Sequence, residues 1–104
     1  MGNDINIIDT EKLFKEIKNI ANEAIASWHT KPKAKPYVNQ LRFYGYKLPE
    51  NPILKNIFYD LVSHVNEASG HGRNKQHWLY FVERDLVLLE NELKRTGLKL
   101  NEQE

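Results

Sequence analysis

Cysteine is absent from this 104-residue chain. Its absence excludes disulfides, a thiolate zinc site and thiol chemistry. Long apolar runs are absent as well. None approaches the ~20 residues needed to span a bilayer, so no membrane partner is expected. The opening residues, MGNDINIIDTEK, lack the basic start and apolar stretch of a secretion signal. They begin Met-Gly, yet Asn6 stands where the myristoylation pattern requires Ser or Thr. A cytoplasmic location is the simplest expectation. No internal repeat or low-complexity tract occurs. Period-2 alternation, the mark of a strand, is missing apart from a brief hint at Ile5, Ile7 and Ile8. Catalytic signatures are missing too. No Ser or Thr is set against a His and a carboxylate at recognisable spacing. Glu83 and Glu90 flank an apolar helix face, as rim charges do, rather than forming a carboxylate pair. The GHG at 70–72 matches neither a P-loop nor a dinucleotide fingerprint; at most its backbone N–H groups and the helix start behind it offer a phosphate-friendly corner. The expectation is a non-enzymatic chain with no cofactor.

What is present is helical periodicity. A chain of this length folds as one domain and buries roughly 60–70% of its unfolded surface. Apolar residues make up 40% and charged residues 28%, an ordinary balance for a globular protein. Residues 10–30 read as a first helix. At 100° per residue, Leu13, Phe14, Ile17, Ile20, Ala21, Ala24, Ile25 and Trp28 fall within an arc of about 140°. Asp9 or Thr10 can cap its start, and Lys31-Pro32 should end it, because a residue before proline is pushed out of the helical region. A short second helix is predicted over 36–44. Pro36 suits its first position, Tyr37, Val38, Leu41 and Tyr44 share a face, and Gly45 suits a left-handed closing residue. YKLPEN should then run extended. A third helix over 52–69 is capped by Asn51 and opened by Pro52; its inner arc is Ile53, Leu54, Ile57, Phe58, Leu61, Val65 and Ala68. A fourth runs over 75–96 and stops at Gly97. Residues 1–8 and 98–104 are read as flexible ends. Short connections make neighbouring helices antiparallel, so the expected fold is an all-α up-and-down bundle of three long helices and one short one.

That topology places the 1–2 and 3–4 connections at one end, and the charges there are one-sided. Between Glu23 and Glu50 there is no acid, while Lys31, Lys33, Lys35, Arg42 and Lys47 are basic. Between Glu67 and Glu83 there is again no acid, while Arg73 and Lys75 are basic. The remainder holds eight basic and fourteen acidic residues, so a chain of net charge +1 reads as polarised. Trp28 and Tyr37 border the basic pole as candidate anchors. The plain alternative is a solvated cap, since loops favour lysine, proline and glycine.

The histidines divide. His29, His71 and His77 fall near the pole, but no neighbouring carboxylate orients them and the surrounding positive charge opposes a cation, so no metal is expected. His64 falls within the apolar arc of the third helix, between the directions of Ile53 and Ile57, and reads as a hydrogen-bonded core or boundary residue. RNKQH, Arg73 to His77, is similar to the Arg–polar–His motif of the HEPN ribonucleases. The likeness covers five residues, and the spacing between Arg and His is shorter than that family's, so no activity is carried over. The short helix, glycine and third helix outline a helix-turn-helix, but Pro52, Ile53 and Leu54 stand where base-reading polar side chains belong.

The fourth helix carries more apolar residues than one face needs. Trp78, Leu79, Val82, Leu86, Leu89 and Leu93 form an inward stripe. Tyr80 and Val87 point one way, and Phe81 and Leu88 another. Either the second helix or Ile5, Ile7 and Ile8 cover the surplus, or it is an interface to a partner or a second copy. Two function classes follow. The first is a small binding protein of the bacterial or phage accessory, immunity or inhibitor type. It would offer its basic pole (Trp28, Lys31, Lys33, Lys35, Tyr37, Arg42, Arg73, Lys75) to an acidic protein, or its last helix to a groove. The second is direct nucleic-acid binding through the same pole.

Overall fold

The computed structural model describes residues 9–27, 31–70 and 75–102, with the side chains at 31–33, 70 and 98–102 outside that description. Four helices follow in order: α1 Thr10–Ala26, α2 Lys31–Phe43, α3 Pro52–Gly70 and α4 Lys75–Glu102. A 3₁₀ turn, Tyr44–Lys47, extends α2. The described residues contain no strand, and the all-α bundle expected from periodicity is what the chain forms. No described helix is long and apolar enough to cross a membrane.

Local signals account for the helix starts. Asp9 caps α1, its carboxylate accepting from the Lys12 N–H at 3.0 Å. Asn51 caps α3, its side-chain oxygen accepting from the N–H groups of Ile53 at 2.9 Å and Leu54 at 3.3 Å. The same amide donates from Nδ2 to Glu92 and to the Thr96 hydroxyl, both at 3.0 Å, and so ties the start of α3 to the far part of α4. Thr10, at the start of α1, also meets α4, beside Gly97. The starts of α1 and α3 therefore share the end of the bundle reached late in α4. The ends of α1 and α3 and the starts of α2 and α4 share the other, as an up-down-up-down path requires.

The core draws on every helix. Ile17 of α1, Leu41 of α2, Leu54, Leu61 and Val65 of α3 and Leu89 of α4 are fully buried. Val82 and Leu93 of α4 join them with almost no exposure. α3 and α4 share the most extensive contact, with α1 against α2 next. Ser69 is buried at the end of α3, its hydroxyl donating back to the Val65 carbonyl at 2.8 Å.

Several expectations fail. α1 closes at Ala26, with Ser27 as its cap, rather than running to residue 30. Lys31 and Pro32 do not end that helix; they open the next. The first four N–H groups of a helix have no intrahelical partner, so Pro32 costs nothing there. Pro36 lies inside α2 rather than at its start. It is tolerated because Ala34, Val38 and Leu41, spaced four and three apart, give the helix a buried stripe that begins before the proline. Gly45 and Gly97 are not left-handed closures. The chain passes through Gly45 in the 3₁₀ turn, so that Tyr46 and Lys47 are not extended, and α4 continues through Gly97 to Glu102. Both glycines serve close approach. A Cβ on Gly45 would stand 3.2 Å from the buried Phe58 ring, and one on Gly97 would stand 3.1 Å from the Thr10 hydroxyl. On α3, Ile53 is half exposed rather than inward, while Val62, absent from the expected arc, is buried.

Asn51 does two jobs, and they can be separated. Asn51→Ala should lower stability by about 1–2 kcal/mol, from a lost cap and a lost cross-helix donation. Asn51→Ser, which keeps a capping oxygen, should fall between that variant and the parent in urea unfolding.

Candidate functional site

α3 and α4 meet along a seam whose upper half is aromatic and titratable. His64 lies on the flank of α3 and Asp85 on the flank of α4, and the imidazole Nδ1 and a carboxylate oxygen of Asp85 are 2.5 Å apart. Asp85 is 5% exposed; His64 is half-buried. Burial pushes the Asp85 carboxyl above the usual carboxylate range, and the hydrogen bond and charge of His64 oppose that rise. Around the pair the rings pack on one another. Trp78 stacks on His64 with centroids 5.8 Å apart, and Phe81 lies 5.2 Å from it. His77 meets Trp78 edge-on at 5.0 Å and Phe81 at 4.9 Å. These rings contact one another along the seam. A carboxylate holding an imidazole also occurs in general-base catalysis, but here the ring sits under Trp78 and Phe81.

His64 is thus the hydrogen-bonded boundary histidine its position in the apolar arc implies. Asp85 as its partner was missed. Its position carried the signal: it lies three residues after Val82 and four before Leu89, on the buried stripe of α4, where a charge needs a partner. Among the described residues no group of three or more His, Asp or Glu could hold a metal ion.

The predicted pole is only partly within view. Trp28, His29, His71 and Arg73 lie outside the described residues, as do the side chains of Lys31 and Lys33. Lys35 is exposed, while Tyr37 is half-buried and packs on the core. Lys75 is half-buried at the start of α4, and burial pulls its ammonium below the usual lysine range. Arg42 stands apart. It lies in the last turn of α2, eleven residues beyond Lys31, hence about 16 Å along the axis from it.

On α4 the surplus apolar residues are open. Tyr80 is 65% exposed, Val87 56% and Leu88 41%, while Phe81 is half-buried against His64, His77 and Trp78. Seven residues separate Tyr80 from Val87 and Phe81 from Leu88, so each pair stacks two turns apart, about 10 Å, on one side of the helix. Between them lies Arg84, with Glu83 beside it, both exposed. A shallow cleft of about 200 Å³ opens between the start of α1 and α4, floored by Phe14 and Leu93 and edged by Lys15, Lys18, Glu90 and Lys94. Its mixed charges select no ligand class.

No protein-family model, curated protein or solved structure matches this chain.

The raised Asp85 has a testable sign. An acid whose folded-state pKa lies above its unfolded value holds its proton more tightly when folded. Its contribution to stability is therefore greatest below about pH 4 and is lost as pH rises through the folded value. Asp85→Asn removes that dependence while keeping an oxygen to accept from His64. Relative to the parent, the variant should gain stability as pH rises from about 4 to 7, read from urea midpoints across that range.

Proposed function

We propose that this chain is a non-enzymatic helical binding protein that regulates or inhibits a macromolecular partner, most directly through the outward face of α4. The observation that carries the reading is the open strip of Tyr80, Val87 and Leu88 on a helix whose other face is buried in the core. A helix apolar on two sides is either central or shared with another chain, and α4 is not central on this side. Tyrosine suits an interface because it offers a large rigid surface with a polar tip. A protein with a matching apolar groove is the favoured partner, and a second copy of this chain is one such protein. Small size, lack of cysteine and lack of a catalytic constellation suit an accessory, immunity or inhibitor role in a bacterium or phage.

Nucleic-acid binding at the basic pole is the second reading. It draws on the acid-free stretches 24–49 and 68–82 and on the exposed Lys35 at the end where α2 and α4 begin. Substituting Arg73 and Lys75 by Glu would remove such binding and leave the α4 reading untouched.

A paired substitution, Tyr80→Glu with Val87→Glu, tests the α4 face. Both side chains are exposed, so stability should change by no more than about 0.5 kcal/mol per site. Affinity for the partner should fall at least about tenfold, because truncated anchors at an interface centre commonly cost more than 1 kcal/mol each. The parent and the variant are compared as tagged baits in lysate of the native host, and by sedimentation for self-association. If both baits retain the same proteins in the same amounts, and both sediment alike, the face is not the site.

A further inference from the structure

The segment joining α2 to α3 reads Arg42-Phe43-Tyr44-Gly45-Tyr46-Lys47: three aromatic rings, two cations and no acid in six residues. Phe43 is 68% exposed and Tyr46 88%. Their ring centroids are 6.3 Å apart and the planes are tilted by 48°, so each keeps a face open. Arg42 and Lys47 are exposed at either end of the segment. Lys47 holds its ammonium 4.7 Å over the ring of Tyr44.

The turn beneath these rings is firmly seated. Tyr44 packs against the core, and Leu48 and Pro49 are buried just after it. Gly45 lies so close to Phe58 that even a methyl group would stand 3.2 Å from that ring. Burial, and then the Glu16 carboxylate beside its hydroxyl, raise the Tyr44 phenol above the usual range. Glu16 lies beside Tyr44, and Glu50 pairs with Lys55 at 3.4 Å. The turn itself contributes two cations and no acid. The core does not need Phe43 or Tyr46, and their exposure has no packing reason.

We propose that this turn binds single-stranded nucleic acid, with bases stacking on Phe43 and Tyr46 and with Arg42 and Lys47 taking the adjoining phosphates. Exposed rings among cations form the platform that holds unpaired bases without regard to sequence. A duplex is disfavoured. Its stacked bases rise only ~3.4 Å apart and show edges rather than faces, whereas two rings 6.3 Å apart suit bases that have been splayed. A protein partner is less well matched. Interface anchors are ringed by contacts that exclude water, but Asn39 and Gln40, one turn before Phe43, and Glu50 beyond Lys47 are all exposed and polar. This proposal does not rest on the α4 strip, and of the residues first grouped with the pole it uses only Arg42, which α2 carries about 16 Å along its axis from Lys31.

The test is fluorescence anisotropy with a labelled oligo(dT) of about 16 nucleotides, a length typical of such sites, and with a duplex of equal length. The single strand should bind more tightly than the duplex. Phe43→Ala and Tyr46→Ala should each weaken binding by at least about fivefold, as lost stacking does. Circular dichroism should be unchanged, because neither ring is in the core. Two phosphate contacts on a single strand predict a log–log salt slope of about −1.4. Exchange of Arg73 and Lys75 for Glu should leave this binding as it was, which separates it from binding at the pole. The proposal is overturned by any of four results: no single-strand binding in low salt up to ~100 μM protein, the weak end of non-specific affinity; equal affinity for duplex; full affinity in the Phe43→Ala, Tyr46→Ala double variant; or a protein partner released by that double variant while the oligonucleotide never binds.

Discussion

The placement of α3 against α4 is the constraint from which the rest follows. Polar links help to hold it. At one end Asn51 of α3 donates to Glu92 and Thr96 of α4; further along, His64 meets Asp85. An apolar seam alone tolerates sliding by a turn, since leucine and valine accept many neighbours. Polar links do not. Shifting α4 by one turn would leave a buried carboxylate without its imidazole, and breaking such a pair costs more than the intact pair contributes. The register that these links set also decides which residues of α4 face water. With Asp85 turned toward α3, Tyr80 and Val87 can only point outward, and the apolar surplus on this helix is a consequence of the same geometry.

That coupling explains why the helices were legible in the sequence and some of their edges were not. Stripes spaced three and four apart in α1, α3 and α4 mark inward faces without reference to any neighbour, and, Ile53 apart, their described residues are buried or pack on the core. The start of α2 was hidden because Lys31-Pro32 and Pro36 both look like punctuation. Proline is prohibitive only where an N–H is needed, and the stripe of Ala34, Val38 and Leu41 depends on α1 being present to cover it. Gly45 and Gly97 misled for a related reason. Glycine marks either a left-handed residue or a close approach, and only the positions of Phe58 and Thr10 distinguish the two. Asp85 stood on an apolar stripe in plain view, but its partner is 21 residues away on another helix.

The candidate sites show the same limit. A run of residues without acid looks like one basic surface when read along the chain. Folding lays residues 31–43 along a helix, so Lys31 and Arg42 finish about 16 Å apart. The basic stretch becomes two places: the end where α2 begins, with Lys35 exposed, and the turn after α2, where Arg42 and Lys47 flank Phe43 and Tyr46. A count of charge by window gives how much positive charge there is, but not that α2 carries Arg42 away from Lys31. The aromatic residues of RFYGYK were readable, but whether they faced the core or water depended on Gly45 pressing against Phe58 and on the burial of Leu48.

A net charge of +1 bears on what these surfaces can do. A strongly basic protein gathers nucleic acid by releasing counterions, and that attraction fades steeply with salt. Over the whole chain the acids nearly balance the bases, so such attraction would have to come from a local patch. The recognition proposed for the turn draws on ring faces, with two cations taking the adjoining phosphates. The role proposed for the α4 strip draws on a different physics. Its apolar side chains gain from being taken out of water against any complementary groove, while Glu83 and Arg84, of opposite sign and side by side, discourage partners of uniform charge. As proposed, the two surfaces would select different classes of partner by different forces.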